Sequence, residues 1–197
     1  MKILGISGSL RARSSNTALL RALAQLAPEG VEITLSTPLD RLPHFNPDLE
    51  EPNPPPSVQD WRAELESSDG VYICSPEYAF GIPGVLKNAL DWDVSSGKLY
   101  RKPVALINAS PNHGGAMKAQ ASLVQTLTAM SANLVDRAFV SVTGVYKKLD
   151  DQGLTDPDTV QALKHSLQEF VAAIEAVRAS RAQPGAAADA ATERPRG

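Results

Sequence analysis

The opening of the chain constrains it most. An apolar run, Lys2-Ile3-Leu4-Gly5-Ile6-Ser7, leads into a polar stretch, Gly8-Ser9-Leu10-Arg11-Ala12-Arg13-Ser14-Ser15-Asn16. Thr17 to Leu26 follows, with Leu19, Leu23 and Leu26 at helical spacing. That is a strand, a loop and a helix. The first backbone N–H groups of a helix have no intrahelical partner and sit at the positive end of the helix dipole, so an anion is favoured there. The loop adds hydroxyls at Ser9, Ser14, Ser15 and Thr17, an amide at Asn16 and guanidinium groups at Arg11 and Arg13, all able to donate to phosphate oxygens. Gly8 allows close backbone approach. A helix cap without a ligand would use the same residue types, so other stretches must decide between the two.

Three familiar phosphate loops fail on these residues. The Walker A pattern needs a Lys, and the loop has none. The dinucleotide fingerprint needs three spaced glycines, and only Gly5 and Gly8 are present. A thiol phosphatase needs a cysteine inside the loop, whereas the single cysteine is Cys74. What remains is a monophosphate site lined by Ser, Asn and Arg.

The other elements follow in order. Val31 to Leu35 reads as a second strand, and the Pro-rich segment 36–57, containing His44 and Phe45, reads as a long loop with a functional or partner-contacting role. Val58 to Ser67 reads as a helix and Gly70 to Ser75 as a third strand. The loop Ser75-Pro76-Glu77-Tyr78-Ala79-Phe80-Gly81-Ile82-Pro83-Gly84 then enters the helix Val85 to Trp92. Lys102 to Ala109 is near-continuously apolar, as a strand buried on both faces should be, and Ser110-Pro111-Asn112-His113-Gly114-Gly115 follows it. Ala116 to Met130 reads as a helix, Asn133 to Val142 as a fifth strand, and Thr155 to Arg178 as a long amphipathic helix.

Five strands alternating with helices describe an α/β, flavodoxin-like doubly wound sheet of expected order 2-1-3-4-5, with helices on both faces. The loops after the first, third and fourth strands converge at one edge. At 197 residues with 43% hydrophobic content, one domain over residues 1–178 is expected, with residues 179–197, rich in Ala, Pro and Arg, as a disordered tail. A net charge of −3 gives no reason to expect nucleic acid or a membrane surface as partner. Met1 leads straight into a strand rather than a signal sequence, and no run has the length of a membrane span. A lone cysteine suits a reducing, cytoplasmic setting.

Three motifs in order, Gly8-Ser9-Leu10-Arg11-x-x-Ser14-x-Asn16, Pro76-Glu77-Tyr78 and Pro83-Gly84-Val85-Leu86-Lys87-Asn88-Ala89-Leu90-Asp91-Trp92, resemble the NAD(P)H-dependent FMN reductase family, which includes quinone, chromate and azo-dye reductases. The likeness spans Lys2 to Ile174. It implies a non-covalent FMN, its phosphate on Ser9, Arg11, Ser14 and Asn16 with Thr17 nearby, and its ring near Pro76, Glu77 and Tyr78. The backbone from Pro76 through Ala79 to Phe80 would meet the flavin's polar edge, and Ser110, Gly114 and Gly115 would border the other side. NAD(P)H is then the co-substrate, the acceptor is a small molecule, and a homodimer or homotetramer, with the Pro83 to Trp92 region at the interface, is expected. Ala79 and Ile82 depart from the family's usual Asn and Ser, which bears on the substrate side.

Hydride transfer to a flavin needs no protein nucleophile or general base, so no side chain is assigned a catalytic role. Arg13 suits either the phosphates of NADPH or solvent. Cys74 reads as a small buried residue rather than a redox thiol. His44, His113 and His165 lack metal-ligand spacing, and only His113 falls in a ligand-facing loop. Lys147-Lys148 reads as a solvated turn. Two other function classes share the fold: a flavodoxin-type electron carrier, and an interaction module that has lost its flavin.

Overall fold

Alternation within each strand sets the architecture. In the computed structural model, which describes residues 1–111, 115–150 and 153–182, β1 (Lys2–Ser7), β3 (Gly70–Ser75) and β4 (Pro103–Ser110) form the centre of a parallel sheet. Their apolar residues point to both faces. Ile3, Tyr72, Cys74, Ala105 and Ile107 face one side, covered by α1 (Ser15–Gln25) and α5 (Pro157–Ala182) through Leu19, Leu23, Leu163, Leu167, Phe170 and Ile174. Leu4, Ile6, Val71, Ile73, Val104 and Leu106 face the other. There α2 (Pro56–Ser67), α3 (Gly84–Val94) and α4 (Met117–Ala129) contribute Trp61, Leu65, Leu86, Leu90, Trp92, Leu123 and Leu127. A strand apolar on both faces can be stable only when helices cover both.

The strand order is β2-β1-β3-β4-β5, with β2 at Glu32–Leu35 and β5 at Asn133–Leu134, as expected for a flavodoxin-like sheet. The expected fifth strand is corrected, because it is broken in two. Asn133–Leu134 pairs with Pro103–Val104, and β6 (Val140–Thr143) pairs with Ile107–Ser110. Residues 135–139 stand opposite only 105–106 and absorb the excess in a short 3-10 turn, Asp136–Ala138. The Ala138 carbonyl there accepts from the Ser166 hydroxyl at 2.5 Å, and that hydroxyl also bonds Tyr72. This polar tie anchors the break beneath α5. A small antiparallel pair, β7 (Leu149–Asp150) with β8 (Gly153–Leu154), was not anticipated; its two-residue strands are too short to show periodicity.

Two further boundaries move. Helix α5 starts at Pro157, whose missing N–H costs nothing at a first helical position, and Asp156 caps it by accepting from Thr159 N at 3.0 Å. It continues to Ala182, past the expected helix end at Arg178; residues 183–197 lie outside the described residues. The Pro-rich segment 36–57 is tied to α2 and α3. The Pro43 carbonyl accepts from Trp92 Nε1 at 2.8 Å and Asn88 Nδ2 at 2.9 Å. Phe45 N donates to Asn88 Oδ1 at 2.7 Å and its ring meets Trp92 edge-on, 5.1 Å between centroids. Arg62 joins Glu50 of the segment to the Trp92 carbonyl. Much of the Pro83 to Trp92 motif therefore serves packing within the chain.

The closest fit is at the foot of β3. A Cβ on Gly70 would lie 2.7 Å from Ile174 Cδ1 and 2.9 Å from Phe170 Cζ, so α5 sits directly on the strand. Phe170, fully buried and 4.5 Å from the Tyr72 ring, is the keystone of that face. Phe170→Ala is expected to lower unfolding free energy by about 3–5 kcal/mol. Chemical denaturation of the variant measures it.

Candidate functional site

The loops at the carboxyl ends of β1, β3 and β4 enclose one cleft of about 480 Å3, the size of a small-ligand pocket. β1 and β3 end side by side, Ser7 opposite Cys74, and Gly8 N donates to the Cys74 carbonyl at 2.9 Å. Packing is tight at Gly8, where a Cβ would lie 3.0 Å from Ser75 Oγ and 3.2 Å from Leu86 Cδ2. From this fixed point the chain turns into α1, presenting Ser9, Arg11, Ser14, Ser15 and Asn16 to the cleft.

Hydrogen bonding within the loop leaves this end rich in donors. Ser14 is the N-cap of α1, its Oγ accepting from Thr17 N at 3.3 Å. Ser9 Oγ accepts from Arg11 N at 3.4 Å, and Asn16 Oδ1 accepts from Cys74 Sγ at 3.3 Å. In each case a protein donor faces the oxygen, leaving the hydroxyl or amide hydrogens for something else. The backbone N–H groups of Ser15 and Asn16 lie in the first turn of α1, where they have no intrahelical acceptor. Such a wall suits a ligand that only accepts, and a phosphate dianion is one. A helix cap alone needs the Ser14 bond but neither Ser9 nor Asn16.

Arg11 Nη1 donates to the Tyr146 hydroxyl at 3.2 Å, a bond that raises the guanidinium above its ordinary value and keeps it charged. The link joins the β1 loop to the turn Val145–Lys147, whose residues Val145 and Tyr146 also line the cleft. Tyr146 had no signal beyond its place beside Lys147-Lys148, which read as a solvated turn.

Pro76, Glu77, Tyr78 and Phe80 form the opposite wall, with Ala109, Ser110, Pro111, Ala116, Met117 and Lys118. Glu77 does a job that its position in the sequence did not indicate. Its Oε2 accepts from Lys118 N and Ala119 N, both at 3.0 Å, capping α4 from another loop. Ala116, in the N-cap position itself, is left-handed at φ 53° and offers no side-chain cap. Glu77 thereby ties the β3 loop to the helix that follows β4, and fixes the cleft's width.

Tyr78 to Gly81 is a tight turn closed by Tyr78 N to Gly81 O at 3.0 Å and Gly81 N to Tyr78 O at 2.9 Å. Ala79 and Phe80, its central residues, both have positive φ, 48° and 64°, where Asn-Gly would be the favoured pair. The turn displays Phe80 at 69% exposure, with Lys118 Nζ 4.1 Å above its ring. Met117 is exposed too, at 71%. Apolar surface this open beside polar walls marks a binding site.

Of the residues singled out from sequence, Ser9, Arg11, Ser14, Asn16, Pro76, Glu77, Tyr78 and Ser110 meet at this cleft. Thr17 and Ala79 are not among its lining residues; the Thr17 hydroxyl is 2.9 Å from Ser7 Oγ instead. Gly114 and His113 lie outside the described residues. His44 and His165 are exposed, and no group of His, Cys, Asp or Glu suited to a metal occurs among the described residues. Cys74 is fully buried, and burial pushes its thiol up, which agrees with an unreactive residue. Trp92 belongs to the core, while Asp91 pairs with Lys87 on the helix surface at 2.5 Å.

A doubly wound sheet with a donor-rich β1 loop and an aromatic second loop at its carboxyl edge is the flavodoxin-like arrangement. Residues 1–147 match the model of the NADPH-dependent FMN reductases, and the chain belongs to that family. It is 33% identical over 171 residues to an NAD(P)H-dependent FMN reductase of Pseudomonas aeruginosa, covering 85% of this chain and 92% of that one. It is 28% identical over 183 residues to a quinone reductase of Escherichia coli, covering 90% and 97%. Among solved structures, FerB, a flavoenzyme NAD(P)H:acceptor oxidoreductase from Paracoccus denitrificans, superposes with a TM-score of 0.81 at 31% identity over 89% of this chain and 97% of that one. The cofactor of the family is FMN and its reductant NAD(P)H, and the donor-rich wall fits the phosphate of FMN.

The strain at the turn is measurable. Asn tolerates left-handed backbone where Ala does not, so Ala79→Asn is expected to stabilise the protein by about 1 kcal/mol. Equilibrium unfolding in urea of the variant beside the native chain checks this.

Proposed function

We propose that this chain oxidises NAD(P)H and reduces a small-molecule acceptor, a quinone, a free flavin, an azo compound or a metal oxyanion, in two successive half-reactions at one site. The observation that carries the reading is the cleft's division into a donor-rich end and an open aromatic end. When bound, FMN supplies the redox chemistry, taking a hydride from the nicotinamide and giving two electrons to the acceptor. Ser9, Arg11, Ser14 and Asn16 hold the phosphate, and the first turn of α1 adds its backbone donors. The loop from Pro76 to Phe80 and Ser110 of β4 orient the ring. Tyr78, Phe80, Met117 and Tyr146 leave an open face on which nicotinamide and acceptor alternate, which is the basis of a ping-pong order. Proximity and orientation are the protein's contribution, since no side chain need donate or remove a proton at the reacting atom.

Residues 1–178 act as one FMN-binding domain, and the chain works in the cytoplasm as a homodimer or homotetramer. No helix of the described residues is long and apolar enough to cross a membrane. The quinone reductases among its relatives support a small-molecule acceptor.

Anaerobic titration of the FMN-loaded protein with NADPH, followed by a quinone, tests the reading. Bleaching of the flavin within catalytic times and its recovery on adding quinone is the expected result. A bound flavin that NADPH and NADH both leave oxidised would indicate an electron carrier, and failure to retain FMN an interaction module. Asn16→Ala should weaken FMN binding by about tenfold, the effect of losing one hydrogen bond to a charged group, while the flavin-free chain stays folded.

A further inference from the structure

We infer that Cys74 is a positioning residue for the phosphate end of the cleft, acting through Asn16. The inference rests on the reading that the β1 loop holds the FMN phosphate. Cys74 lies at the end of β3, opposite Ser7 of β1, and packs in the core beneath α1. Its Sγ donates to Asn16 Oδ1 at 3.3 Å. Asn16 is itself only 5% exposed, yet it lines the cleft. Its Nδ2 has no acceptor among the described residues.

A carboxamide has two ends of opposite character, and a half-turn exchanges them. With Oδ1 against the thiol, the S–H is satisfied and Nδ2 is turned to the cleft with its hydrogens unused. With the amide reversed, Nδ2 would face sulfur, a weak acceptor, and Oδ1 would face the phosphate oxygens, which repel it. The thiol therefore selects the orientation that donates. Burial raises the thiol's pKa, so the proton that makes this choice stays on sulfur throughout the ordinary pH range. Cysteine suits the position because it packs as a small apolar residue while retaining one weak donor. Alanine would pack there too, but would leave the amide free to turn.

The test measures FMN and riboflavin affinities by quenching of flavin fluorescence, for the native chain and for Cys74→Ala, Cys74→Ser and Asn16→Ala. Cys74→Ala is expected to weaken FMN by about fivefold, the worth of one modest hydrogen bond, while riboflavin, which has no phosphate, changes less than about twofold. Cys74→Ser restores an O–H donor and should bind FMN within about twofold of native. In an Asn16→Ala background, Cys74→Ala should cause no further loss, because the group it orients is gone. Should Cys74→Ala not fold, Cys74→Val makes the same comparison. Unchanged FMN affinity in Cys74→Ala, equal losses for FMN and riboflavin, or a full additional loss in the Asn16→Ala background would each overturn the inference and leave the phosphate site standing. A native chain that binds FMN no better than riboflavin would overturn the phosphate site, and the inference with it.

Discussion

The site depends on oxygens that are already engaged before a ligand arrives. Ser9, Ser14 and Asn16 each accept a hydrogen bond from elsewhere in the protein, from Arg11 N, Thr17 N and the Cys74 thiol. Their hydrogens are left for a ligand. Together with the N–H groups of the first turn of α1, which have no intrahelical acceptor, and the Arg11 guanidinium, they make a donor-rich wall that favours an anion.

That wall can exist only where two strands end in register. The pairing of Ser7 with Cys74, the bond from Gly8 N to the Cys74 carbonyl and the close approach of Gly8 to Ser75 bring the β1 and β3 loops together. The pairing in turn depends on a sheet whose strands are apolar on both faces and covered on both by helices. On the far side of the cleft, Glu77 ties the β3 loop to α4, so the cleft has two walls set by backbone bonds and a mouth formed by exposed side chains. The strained turn at Ala79 and Phe80 lies at that mouth, as backbone strain commonly does at binding sites.

Much of this was legible in the sequence, and the reasons differ by element. Short apolar runs at Lys2 to Ser7, Gly70 to Ser75 and Lys102 to Ala109 suit strands buried on two faces, and their alternation with helices gave the doubly wound sheet from which the order was expected. The Ser, Arg and Asn residues of the β1 loop marked it as a candidate for an anion, yet capping and phosphate binding use the same residue types, so the loop alone did not decide between them. What stayed hidden depends on contacts between distant residues. The break at 135–139 is anchored by Ser166 reaching across to Ala138. The capping role of Glu77 needs α4 beside it, Tyr146 reaches the cleft from 135 residues beyond Arg11, and Lys118 becomes part of the site only through Phe80. That the Pro-rich segment is tied to Asn88 and Trp92 was likewise hidden. Spacing along the chain cannot reveal such pairings.

The most direct measurement of the donor-rich site is the phosphorus NMR of FMN bound to the native protein, followed from pH 5 to pH 8. The phosphate monoester of free FMN takes up a proton near pH 6. A site of many donors and a guanidinium favours the dianion, so the bound resonance should keep its position across that range. A bound resonance that titrates like free FMN would contradict the account, showing that the β1 loop leaves the phosphate to solvent.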